Sequence, residues 1–112
     1  MRARVRRMDD GGMPYLTNSL MPDGSLEDYH NISNALPDGR PEGMIARYVG
    51  VSDAGLAITV VWTSKAHADR FETEQLMPTV RRVMGPPVPN NGSTFYNFEA
   101  TEVVLGVSEV SS

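Results

Sequence analysis

Apolar residues recur at strand spacing between Met44 and Trp62, and at helical spacing on either side of that stretch. Residues 44–51 and 56–62 read as two strands, joined through Ser52-Asp53-Ala54-Gly55 into an antiparallel hairpin. On the second strand Leu56, Ile58, Val60 and Trp62 share one face, and Ala57, Thr59 and Val61 share the other. Neither face is frankly polar. Upstream, Leu26, Tyr29, Ile32 and Leu36 trace one helical stripe behind Ser25, with Asp28 completing a capping-box pattern. The run from Pro37 to Pro41 stops that helix. Downstream, Ser64 caps a second helix that reaches about Leu76, where Pro78 interrupts it before a further turn through Val80 and Val83. A short first strand is expected over 15–18, and a last one from Thr94 through Phe95, Tyr96 and Phe98 to about Leu105.

The predicted order is strand, helix, strand, strand, helix, strand: an α+β, ferredoxin-like βαββαβ domain with a four-stranded antiparallel sheet. Two helices can cover only one face of such a sheet. The hairpin strands are semi-apolar on both faces, so the uncovered face calls for a second copy, and a homodimer is expected. With 112 residues there is room for a single core. The expected divisions are a disordered basic leader over 1–12, one domain over 13–106 and a frayed tail over 107–112.

Charge and composition narrow the partners. Residues 13–112 hold six basic and twelve acidic groups, the other four basic residues being Arg2, Arg4, Arg6 and Arg7. A body of that sign is a poor partner for nucleic acid. No run of about 18 apolar residues is present, so no membrane partner is expected. Cysteine is absent, which removes disulfides and thiolate chemistry and fits a cytoplasmic setting. There is no glycine-rich phosphate loop, dinucleotide fingerprint or nucleophile elbow, and no cofactor is expected.

The stretch Val60-Val61-Trp62-Thr63-Ser64, followed by Phe71 and Leu76-Met77-Pro78, resembles a signature of the dimeric α+β-barrel superfamily. Together with Tyr29 and Pro41-Glu42-Gly43-Met44-Ile45, it is similar to small actinobacterial proteins of unassigned function. The resemblance covers about residues 15–105. It implies a homodimeric barrel related to antibiotic-biosynthesis monooxygenases, haem-degrading monooxygenases, polyketide cyclases and stress-responsive proteins. Cofactor-free monooxygenases of this kind use an asparagine on the first strand and a tryptophan ending the third, and Asn18 and Trp62 hold the equivalent places. The late second helix, where haem-binding and cyclase relatives carry a histidine, reads Glu74-Gln75-Leu76-Met77-Pro78-Thr79. That departure argues against haem and against a cyclase mechanism that depends on that histidine.

His30 and His67 are the only histidines, one on each predicted helix, and imidazole suits proton transfer near neutral pH. Two histidines are too few for a zinc site by themselves, and no metal is expected. Trp62 reads equally as core filler or as a ring that stacks on a flat substrate. Tyr29, Tyr48, Phe71 and Tyr96 are expected to line a sheet–helix cleft with it, against the simpler reading of an aromatic core. Arg47 pairs across an interface with Glu99 or Glu102, or holds a substrate carboxylate or enolate. Two functions stand as expectations. One is a cofactor-independent monooxygenase or cyclase acting on a small aromatic or polyketide-like ligand, with His30, His67 and Asn18 as catalytic candidates. The other is a non-catalytic ligand-binding, structural or stress-response dimer.

Overall fold

Ser25 and Ser64 open the helices as their spacing predicts. Ser25 Oγ accepts the Asp28 N–H at 3.1 Å, and Ser64 Oγ accepts the His67 N–H at 3.2 Å. The computed structural model describes residues 4–5, 13–37, 40–86 and 92–106. Most of the leader expected over 1–12, the tail over 107–112 and the centre of the loop before the last strand lie outside them.

The described elements are β1 (Arg4–Val5), β2 (Tyr15–Met21), α1 (Leu26–Ala35), β3 (Met44–Ser52), β4 (Gly55–Trp62), α2 (Lys65–Phe71), a π turn (Glu72–Leu76), α3 (Met77–Met84), β5 (Thr94–Glu99) and β6 (Val104–Leu105). Strands β3-β4-β2-β5 form one antiparallel sheet in that order, while β1 and β6 pair separately. Each helical crossover skips one strand, so the chain is an α+β fold compatible with the expected ferredoxin-like arrangement. The last strand is shorter than its apolar pattern predicts. It stops at Glu99, the Ala100 N–H bonds the Pro14 carbonyl at 2.9 Å, and Val104–Leu105 turn instead to Arg4–Val5.

Pairing fixes which residues share a face. Tyr15, Thr17 and Ser19 lie opposite Trp62, Val60 and Ile58 on the helix-covered face; Leu16, Asn18 and Leu20 lie opposite Val61, Thr59 and Ala57 on the open one. Simple alternation would put Arg47 on the face opposite Met44. A β-bulge between Met44 and Ala46 changes that: Met44 pairs with Trp62 and Arg47 with Val60, so both point to the covered side while Ala46 points away. The hairpin turn needs Gly55, whose φ is 128°, because a Cβ there would lie 2.5 Å from the Met21 carbonyl oxygen.

Pro78 interrupts the second helix as its sequence position predicts, and a helical segment through Val80 and Val83 follows. Pro78 carries no N–H to bond the Glu74 carbonyl, and its ring crowds that carbonyl. The backbone widens over Glu72–Leu76 instead, the Met77 N–H reaching back to the Glu72 carbonyl, and the rod continues into α3. The core lies under this rod. Val60, Trp62, Ala68 and Phe71 are buried together, with Tyr15, Leu36, Met44, Ile58 and Leu76 packed around them. Trp62 is 2% exposed; its ring centroid lies 5.3 Å from that of Phe71, and its indole N–H donates to Thr17 Oγ1 at 3.2 Å. Trp62→Ala is expected to destabilise the fold by about 3–5 kcal/mol, read from urea unfolding midpoints.

Candidate functional site

The turn Pro41-Glu42-Gly43 delivers the chain into β3, and the start of α2 packs directly on it. Gly43 has φ 85°, and a Cβ on it would lie 2.3 Å from His67 Cγ and 2.5 Å from Cδ2. The imidazole therefore rests on bare backbone. The Gly43 carbonyl also accepts the Thr63 N–H at 2.8 Å, tying this turn to the chain just before α2.

His67 is held from its other side by hydroxyls. Ser64 Oγ lies 2.7 Å and Thr63 Oγ1 3.1 Å from Nδ1. With a hydroxyl donating to Nδ1, the ring proton sits on Nε2; with Nδ1 protonated, Ser64 Oγ accepts from it and Nε2 becomes a base. Either tautomer leaves the ring where it is. Nε2 faces Glu42, whose Oε2 is 3.8 Å away, and Arg70 Nη1 lies 4.0 Å from the same carboxylate's Oε1. His67 and Glu42 form an ion pair only when the imidazole is protonated.

These groups line a half-open cleft of about 200 Å³ with Pro41, Phe71, Glu74 and Gln75. A cavity of about 150 Å³ holds benzene, so one substituted ring fits while the rest of a larger molecule stays outside. Gln75 belongs to the π turn, and its buried Oε1 meets no hydrogen-bond donor among the described residues. Wide turns of this kind often accompany functional sites. Lys65, one turn away, is kept charged to higher pH by its hydrogen bond to Asp69 at 2.7 Å and by that carboxylate's charge. Both are exposed and outside the cleft.

The other sequence candidates are dispersed. Trp62 and Phe71 form the core, and only Phe71 also reaches the cleft wall. Asn18 is on the open face, where its Oδ1 accepts from Thr59 Oγ1 at 2.9 Å and its Nδ2 donates to the Tyr96 carbonyl at 3.0 Å. Asn18 and Trp62 are thus separated by the sheet. Tyr48 and Tyr96 also face the open side and are exposed. Tyr29 is half-buried on α1, its ring edge-on to the exposed His30 at 5.3 Å, and neither residue lines the cleft. Strand parity puts Tyr48 and Tyr96 on the open face, away from Trp62 and Phe71.

Sequence reading singled out His67 but missed Gly43, Glu42, Arg70 and Gln75 as its neighbours. The spacing of Ser64 and His67 in the first helical turn was the available signal for one contact. Gly43 gave only a turn signal, because its partner ring comes from another element. Among the described residues no three His, Asp or Glu groups are placed to hold a metal ion, and no helix is long and apolar enough to cross a membrane. No protein-family model matches the chain, and no curated protein matches it.

Gly43→Ala is expected to cost about 1–2 kcal/mol from its left-handed backbone alone, with a further loss from the His67 collision. A double-mutant cycle with His67→Ala measures that second part as a coupling energy. Additive effects would show that the ring does not rest on Gly43.

Proposed function

We propose that this chain is a ferredoxin-like protomer of a dimeric α+β barrel and binds a small aromatic or polyketide-like molecule in the His67 cleft. His67 moves a proton on that ligand, as in a cofactor-independent cyclase or monooxygenase. The observation that carries this reading is the fixed imidazole, one nitrogen on the Ser64 hydroxyl and the other aimed at Glu42 across a ring-sized cleft. A positioned imidazole of this kind is what general acid–base catalysis requires of its proton carrier.

Dimerisation is supported by the open face. Tyr48, Tyr96 and Phe98 are 65%, 62% and 45% exposed there, and the rings of Tyr96 and Phe98 stack at 6.4 Å. Half-buried Leu16, Leu20 and Val61 continue the same surface. An apolar face of this breadth is stabilised by a second copy of itself through two-fold symmetry. In that dimer Asn18 and Thr59 lie inside the barrel rather than in the His67 cleft.

One observation favours a non-catalytic ligand-binding or structural dimer. Trp62, Phe71 and Val60 fill the space under α2 where a deep substrate pocket would sit. Titrating the protein with planar phenols and anthrones, while following the His67 ring by NMR and assaying turnover, separates the two readings. Catalysis predicts saturable His67 shifts and turnover that falls at least about a hundredfold in His67→Gln. Shifts without turnover favour the binding protein, and an unmoved His67 ring across the whole panel rules out this cleft. Light scattering is expected to give twice the chain mass, and Tyr48→Asp with Tyr96→Asp to give the monomer. An unchanged dimer would locate the interface elsewhere.

A further inference from the structure

A second recess lies at the outer edge of the sheet, at the bulge that begins β3. It measures about 310 Å³ and is lined by Arg40, Met44, Ile45, Ala46 and Arg47. Because β3 is the first strand in the sheet order, no strand of the sheet flanks this side. The bulge turns Arg47 toward the helices, opposite Val60. Its guanidinium carbon then sits 5.7 Å from the centroid of the Tyr29 ring on α1. That distance is within cation–π reach, so the ring gives the guanidinium an aromatic neighbour.

The ion pairs of Lys65, His67 and Arg70 do not involve Arg47. Within the chain, Arg47 is on the covered face at one sheet edge, and β5, which ends in Glu99, forms the other edge. A partly covered guanidinium beside an aromatic ring and outside those ion pairs is a receptor for a carboxylate. Met44 and Ile45 supply the apolar wall beside it, and Arg40 lines the same recess.

We propose that this recess binds the carboxylate of a small planar acid, with Arg47 forming the paired hydrogen bonds, Tyr29 orienting it and Met44 with Ile45 contacting the ring. The site is separate from the His67 cleft and does not rest on the function assigned there. A neutral amide of the same shape loses the charge. Inorganic phosphate keeps the charge but loses the ring contact. Lysine in place of Arg47 keeps a point charge but not the two-pronged geometry.

Backbone amide shifts of the full chain, followed by NMR at constant ionic strength during titration with benzoate, benzamide or inorganic phosphate, test this. Saturable benzoate shifts are expected over Ile45–Arg47, with benzamide silent and phosphate weaker than benzoate. Affinity for benzoate is expected to fall about tenfold or more in Arg47→Met and to be intermediate in Arg47→Lys. His67→Gln is expected to bind benzoate as the parent does, which distinguishes this site from the cleft. Should Arg47→Met not fold, Arg47→Lys and Tyr29→Leu carry the comparison. Equal binding of benzamide, benzoate binding unaffected by Arg47→Lys and Tyr29→Leu, phosphate binding as tight as benzoate, or no saturable benzoate shift would each overturn the proposal.

Discussion

The indole of Trp62 joins the layers of this protein. It ends β4, packs on Phe71 from α2 and donates its only polar hydrogen to Thr17 on β2. Burying a ring of that size drives the docking of the helical rod on the sheet, and the Thr17 hydroxyl removes the cost of an unpaired N–H. The residues just C-terminal to Trp62 are positioned by that anchor. Thr63 bonds Gly43, Ser64 caps α2, and His67 lands on the Gly43 backbone. The candidate cleft is a consequence of how the core residue next to it is held.

The same anchoring explains the division of the aromatic residues. Residues alternating along a strand cannot meet, so β2 sends Thr17 to Trp62 and Asn18 to Thr59 on opposite faces. The covered face commits Trp62 and Phe71 to packing, while Phe95, opposite Ser19 near the sheet edge, stays exposed. The open face keeps Tyr48, Tyr96 and Phe98 near solvent, and β5 is exposed along its whole length. A sheet covered on one side by a single helical layer leaves two different kinds of surface, one packed under helices and one open.

Locally encoded features were legible in the sequence. The hairpin at Ser52–Gly55, the serine caps and the split of Leu56, Ile58, Val60 and Trp62 from Ala57, Thr59 and Val61 depend on neighbours a few residues away. Features set by distant contacts were not. The bulge that re-aims Arg47 answers to the pairing of Met44 with Trp62, and the β1–β6 pair joins residues from opposite ends of the chain. For the site, the type of residue was legible in His67, but its surroundings were not. A glycine that exists to admit an imidazole looks, in sequence, like any turn glycine.

The wide turn at Glu72–Leu76 has a consequence for counting along the helical rod. Phe71 and Thr79 are both buried, 8% and 1% exposed, yet they stand eight positions apart. In an unbroken α-helix that spacing rotates one side chain about 80° away from the other. The widened loop absorbs one residue without advancing the helical phase, so the inward-facing stripe resumes on the far side of Pro78. Alignments that score this segment as an ordinary helix would place every position after it one step out of phase.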